Sequence, residues 1–329
     1  MWLDGAMTAG FLLAPRLRPG DRVRLVSPAS SPDRASVDNC LAVLDGWGLR
    51  GEVAPHVFDK WGYMAGSDAD RLDDLNEAFR DPEIRAIVAT RGGAGAYRIA
   101  DQIDFAAVGA DPKPLVGFSD ITYLHLSLLH HCQLGGIHGC LVGEAAQASV
   151  RQLLMTTDPL VLRRVPGAVS AAADIPGTVR GRLIGGNLAS LATSTGVRMP
   201  SMSGAILFLE DQRVVGLGTI DRQLTQLISS RALDGIVGVA LGSFEGFRGY
   251  SDRGWTLADV LADRLCHLGV PVLGGLFAGH DLIGSSGAPD QPALPLGSLA
   301  TLDTTDGTLT VDPVVCCRRV SQRPPRCGR

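Results

Sequence analysis

The chain has 329 residues, 45% of them hydrophobic and 19% charged, with 30 basic and 34 acidic side chains for a net charge of −4. That is enough chain for two domains, or one large one, around a substantial core. The mild acidity, with arginines spread along the chain, gives no ground for a nucleic-acid or anionic-membrane partner, and no stretch approaches the roughly 20 apolar residues of a membrane span.

The opening "MWLDGAMTAGFLLAPRLRPGD" carries a short apolar patch without a basic region before it, so it reads as a ragged extension rather than a leader. From there short apolar runs alternate with helical patterns. Residues 21–30 read as a strand ending in a turn, 35–48 as an amphipathic helix stopped by glycine, and 51–57 as a second strand. Residues 68–82 put Leu72, Leu75 and Phe79 on one helical face before a proline. "IRAIVAT" (84–90) is a buried strand followed by the glycine loop "RGGAG", 97–103 a short helix, 113–120 a strand through "GFSD", and 121–132 the next helix. The βαβα rhythm predicts a doubly wound, mainly parallel sheet, in which ligands bind beyond the carboxyl ends of the strands. Both "RGGAG" and "GFSD" fall at that edge.

Residues 151–180 break the rhythm with a small, proline-bearing stretch that reads as an inter-domain link. A second, mixed α/β domain follows: strands over 204–211, 234–247 and 271–281, helices over 218–232 and 256–269, and a terminal hairpin over 294–312. The predicted division is an N-terminal domain over 17–150, the link, a C-terminal domain over 181–313, and a disordered tail over 314–329. Seven cysteines without a CxxC pair speak against a tetrahedral metal site and for reduced thiols in a cytoplasmic setting. No dinucleotide fingerprint or P-loop is present, so no cofactor is expected.

Ser119 of "GFSD" sits between a strand and a helix. It can be an N-cap, or a nucleophile with helix N–H groups behind it to hold an oxyanion; the local sequence leaves both open. A serine nucleophile needs a base. His125, His130 and His131 lie on the following helix and read as packing or surface residues. His138, ending "GGIH", goes either way, and His280 in "LFAGHD" is presented after an apolar strand and a glycine. Glu210 ends the apolar run "ILFLE", an expensive place for a carboxylate unless it is paired; it reads either as the orienting acid a serine–histidine pair needs or as a strand-end residue turned to water beside Asp211.

"LRPGDRVRLVSPAS", "YMAGSDADRLDDLNEAFRDPEIRAIVATRGGAG", "LVGFSDITYLHL", "IHG", "GRLIGGNLASL", "LFLED", "IDRQLTQL" and "LPLG" occur in the order found in LD-carboxypeptidases, the serine peptidase family that includes the microcin C immunity peptidases. Over residues 17–312 the chain resembles that family. The resemblance implies a catalytic Ser119, Glu210 and His280, an oxyanion hole from the backbone N–H groups of Gly93 and Asp120, cleavage of the L,D-peptide bond before a terminal D-alanine of a muropeptide, a role in cell-wall peptide recycling, and a homodimer. Arg91, Arg182 and Arg248 are candidates for a substrate carboxylate, and Gly92 and Asn187 for further substrate contacts. Ala94 stands where the family often has an aromatic residue. The glycine- and serine-rich stretch after His280 is expected to loop over the cleft.

Overall fold

A computed structural model describes residues 11–212, 214, 216–280 and 291–317; the loop expected after His280 lies largely outside them. The N-terminal half is built on a sheet of six strands ordered Leu294–Leu296, Gly136–His138, Leu115–Gly117, Ile84–Ala89, Arg22–Val26 and Arg50–Val53. The last five are parallel. Ranked along the chain their order is 2-1-3-4-5, a doubly wound topology whose switch point lies between the strands Arg22–Val26 and Ile84–Ala89. In these strands Val23, Leu25, Val26, Ala86, Ile87 and Val88 are all buried, as expected of strands covered on both faces. The chain leaves the two strands at the switch point through Ser27–Ser30 and Thr90–Gly95, so the glycine loop sits where the topology opens a crevice. The helix Asp68–Arg80 starts from a capping box between Ser67 and Asp70 and buries Leu75, Ala78 and Phe79 against this sheet.

The C-terminal half carries a seven-stranded mixed sheet ordered Val272–Leu273, Gly238–Glu245, Ala205–Gln212, Thr178–Asn187, Leu299–Asp303, Thr308–Val311 and Leu160–Arg163. Its first four strands are parallel and the rest antiparallel. Together the two sheets make the α/β architecture expected, with these differences.

Residues 151–180, read as a link, are structured: they finish the helix Glu144–Met155, supply the edge strand Leu160–Arg163 and add a 3₁₀ turn at Val169–Ala173. The 294–312 segment is not one hairpin. Leu294–Leu296 joins the N-terminal sheet antiparallel to Gly136–His138, and only Leu299–Asp303 and Thr308–Val311 pair with each other. The ten-residue strand Thr178–Asn187 gave no strand signal because Gly181, Gly185 and Gly186 interrupt it. Those glycines answer to close backbone approach: a Cβ on Gly185 would stand 1.9 Å from the Phe208 carbonyl oxygen, and one on Gly186 2.6 Å from Thr122 Oγ1. The Asn187 N–H also donates to Thr122 Oγ1 at 3.2 Å, which docks the start of the helix after Ser119 onto the second sheet. The chain ends are also tied down further than expected. Ala14–Pro15 pairs in parallel with Val315–Cys316, so described residues before 17 and after 313 are paired; residues 318–329 lie outside the description. Among the described residues no helix is long and apolar enough to cross a membrane.

Candidate active site

Strand Leu115–Gly117 ends in Phe118, whose backbone is extended, and Ser119 then turns to φ 63° before a 3₁₀ turn over Ser119–Ile121 leads into the helix Thr122–Cys132. A left-handed conformation strains a residue with a side chain by about 1–2 kcal/mol. Neither the turn nor the helix has a side-chain capping hydrogen bond at its start. The capping role left open by the sequence is therefore not what holds Ser119 here.

The glycine loop lies directly against it. A Cβ on Gly92 would stand 2.7 Å from Ser119 Cβ and 3.1 Å from its Oγ, and one on Gly93, at φ 114°, would meet Ser30 Oγ at 2.3 Å. Three anchors fix the loop. The Ser30 N–H donates to the Gly92 carbonyl at 3.3 Å, and Ser30 Oγ accepts from the Ala94 N–H at 3.2 Å while donating to the Tyr63 carbonyl at 2.7 Å. Arg71, a fully buried guanidinium, donates through Nη1 to the carbonyls of Pro28 at 2.7 Å and Gly95 at 2.9 Å, and also pairs with Asp68. The Asp120 carboxylate accepts from the Ala96 N–H at 2.7 Å, and burial pushes its pKa up to about 6. Among the described residues these bonds use neither the Gly93 nor the Asp120 N–H.

Glu210 comes from the strand Ala205–Gln212, whose Ile206–Leu209 run is wholly buried, and is itself fully buried. Its Oε2 accepts from His280 twice, from Nδ1 at 2.6 Å and from the backbone N–H at 2.9 Å. The residue before His280 must be glycine, since a Cβ on Gly279 would lie 2.5 Å from both Glu210 Cγ and Oε2. Burial opposes the Glu210 charge, but the His280 and His138 imidazoles outweigh burial and hold the carboxyl well below the usual carboxylate range. For His280 burial opposes the imidazolium and the Glu210 carboxylate more than offsets it, raising its pKa above the ordinary histidine value. The next residue, Asp211, is pushed up to about 6 by burial and by Glu210 beside it.

Ser119 and His280 line one cavity of about 400 Å³, together with Arg91, Gly92, Gly93 and Gln212. Arg91 is exposed there and takes part in none of the ion pairs among the described residues. Asn187, paired in register with Glu210, is buried: its Oδ1 caps the helix Leu188–Ser194 through the Ser190 N–H and its amide donates to Asp211. That is a scaffolding task behind the carboxylate. Arg182 is not brought to the cavity. It lies five residues, about 16 Å, down the same strand, donating to the Gly297 carbonyl at 2.6 Å and covering the Phe11 ring. Arg248 borders a separate recess of about 70 Å³ with Ser243 and Glu245. His125 is buried, its pKa driven down to about 3 by burial, and its Nε2–H donates to the Leu115 carbonyl at 3.3 Å. His138 turns out to stand behind the site, its Nε2 3.6 Å from Glu210 Oε1. The sequence held no sign of that contact, nor of the Arg71 and Ser30 anchors.

A serine backed by a glycine loop, sharing a cavity with a histidine that is held by a buried carboxylate, defines a hydrolase-type site on a two-sheet α/β scaffold. Residues 23–139 match the LD-carboxypeptidase N-terminal domain and residues 180–302 the LD-carboxypeptidase C-terminal domain. A putative carboxypeptidase of Streptomyces coelicolor is 40% identical over 317 residues, 92% of this chain and 96% of its own length. A probable murein peptide carboxypeptidase of Bacillus subtilis is 31% identical over 307 residues, 90% of this chain and 93% of its own. Among solved structures, the microcin C7 self-immunity protein superposes with a TM-score of 0.78 at 22% identity, over 93% of this chain and all of that one, which speaks for the fold alone. The muramoyltetrapeptide carboxypeptidase of Oxalobacter formigenes superposes with a TM-score of 0.75 at 25% identity, over 88% of this chain and 98% of that one. The chain belongs to the LD-carboxypeptidase family of serine peptidases.

Proposed function

We propose that the protein is a carboxypeptidase that hydrolyses the L,D-peptide bond before a C-terminal D-alanine of muropeptides, using Ser119 as nucleophile, His280 as base and Glu210 as orienting acid. The observation that carries this reading is the pair of hydrogen bonds from His280 to one oxygen of a buried carboxylate, beside a left-handed Ser119 in the same cavity. With Nδ1–H given to Glu210, Nε2 of the neutral ring is the free base. It takes the Ser119 proton as Oγ attacks the scissile carbonyl, the Gly93 and Asp120 N–H groups receive the oxyanion, and the imidazolium returns the proton to the leaving amine. Water, activated by the same imidazole, then releases the acyl group. Arg91, the exposed cation at the rim, pairs with the terminal carboxylate that defines an exopeptidase substrate. The same reading makes the protein a cytoplasmic homodimer acting in cell-wall peptide recycling.

One observation favours a second reading. Ala94 leaves the glycine loop without an aromatic wall beside Ser30, so another amide, such as a peptidyl-nucleotide or natural-product intermediate, is the alternative substrate of the same three residues. An L,D-tetrapeptide ending in D-alanine, incubated with the protein and with Ser119→Ala, separates the cases. Free D-alanine from the parent, with a loss of about 10³-fold or more in the variant, supports the first reading. Labelling of Ser119 by a serine-reactive phosphonate without D-alanine release would shift the assignment to the second.

A further inference from the structure

We propose that His138 is a positioning residue for the catalytic carboxylate: its imidazole Nε2–H is aimed at Glu210 Oε1 and fixes the carboxylate so that Oε2 stays on His280. This rests on the reading of Glu210 as the orienting acid. Glu210 is fully buried, yet its two oxygens differ. Oε2 receives two hydrogen bonds from His280, whereas Oε1 has no hydrogen-bond partner. His138 is equally buried and has no hydrogen-bond partner at either ring nitrogen. These groups face each other across 3.6 Å, a few tenths of an ångström beyond a hydrogen bond. Leaving two buried polar groups bare is costly when a small movement pairs them, and catalytic hydrogen bonds commonly tighten when substrate binds.

The surroundings confine His138 to this task. It ends the strand Gly136–His138, held between Gly117, two residues before Ser119, and Leu294. The rings of Phe118 and Phe208 stand edge-on to it at 6.0 and 5.6 Å, and the Phe118 ring also lies 5.0 Å from His280. His138 thus cannot swing away without disturbing the wall behind the nucleophile. The titratable groups facing it are Glu210 and His125, whose ring lies 6.5 Å away; His280 holds the other oxygen of Glu210, and Asp211 follows Glu210 in the chain. A carboxylate held by one imidazole alone can rotate about its last bond. Held by two, on opposite oxygens, it has one orientation, and the His280 tautomer with Nδ1 protonated is enforced.

The test uses which nitrogen does the work. The side-chain nitrogen of glutamine overlays Nε2 of histidine and that of asparagine overlays Nδ1. His138→Gln is therefore expected to keep most of kcat, while His138→Asn and His138→Phe lose about 10- to 100-fold in kcat with KM little changed, all measured on the L,D-tetrapeptide or, should that not be cleaved, as the rate of phosphonate labelling of Ser119. Nitrogen-15 spectra of the folded protein give a readout independent of activity: His138 is expected to carry a proton on Nε2 whose signal moves in Glu210→Gln. Equal activity in all three variants, or an Nδ1–H ring insensitive to Glu210→Gln, overturns the proposal even if Ser119→Ala is inactive. Should Ser119→Ala also retain activity, it is the catalytic reading that fails.

Discussion

Gly92→Ala tests the contact between the glycine loop and the nucleophile without replacing any group that does chemistry. The added methyl would sit 2.7 Å from Ser119 Cβ and 3.1 Å from both Ser119 Oγ and the Phe118 carbonyl oxygen, about 1 Å inside the ordinary contact distance of 3.5–4.0 Å. Neither side yields easily. The loop is pinned through Ser30, and behind Ser119 the turn packs so closely that a Cβ on Gly117 would meet Ile121 at 2.8 Å. Gly92 does not have positive φ, so the perturbation is steric and not conformational. A displacement of the nucleophile by about 1 Å lowers turnover by about 10²-fold, roughly 2.7 kcal/mol of barrier, and overpacking of this kind destabilises by about 1–3 kcal/mol. Gly109→Ala is the control, because nothing lies within 4 Å of its Cβ position in the helix Phe105–Ala110. D-alanine release and urea unfolding should show the first variant folded but about 100-fold slower, and the second with parental turnover and, if anything, about 0.4–1 kcal/mol more stable. A Gly92→Ala protein with parental kcat would refute the claim that this loop sets the position of Ser119.

Ser119→Gly should be inactive but about 1 kcal/mol more stable than Ser119→Ala, because only glycine relieves the left-handed strain; matched unfolding curves would contradict the strain. The base must be neutral to act, so kcat/KM should fall as pH drops through the His280 pKa, at a midpoint above 6.5. In Glu210→Gln the offsetting charge is gone and burial dominates, so the residual activity should show its acid limb shifted below that of the parent; an unmoved limb counts against the pair. Arg71→Met strips the Pro28 and Gly95 carbonyls of their buried donor and is expected to destabilise by about 3 kcal/mol, with Arg71→Lys recovering little because one ammonium does not reproduce the fork; near-parental urea midpoints would show that the anchor matters little.

The residues gathered at the candidate site each carried a local signal, while their proposed roles came from the family resemblance. Glu210 ends an apolar run where a carboxylate does not belong, Gly279 precedes His280 where backbone crowds a side chain, and "RGGAG" follows a strand where a helix would ordinarily start. Long periodic elements such as 68–80 and 217–229 were readable within a few residues. What escaped depends on pairing across distance. A three-residue strand such as Leu294–Leu296 is too short to carry a period, and its place beside Gly136–His138 follows only from the folded sheet. The strand Thr178–Asn187 was hidden by glycines that exist for contacts with Phe208 and Thr122. For the same reason the sequence could not tell that His138 faces Glu210 or that Arg182 lies at the wrong end of its strand: both are facts of register.

Whether Ser119 carries the acyl group is read directly by rapid acid quenching during turnover of the L,D-tetrapeptide, followed by peptide mapping by mass spectrometry. A tripeptide acyl adduct is expected on the peptide containing Ser119 and absent from Ser119→Ala. D-alanine release with no adduct at Ser119, or with the acyl group on another residue, would contradict Ser119 as the nucleophile.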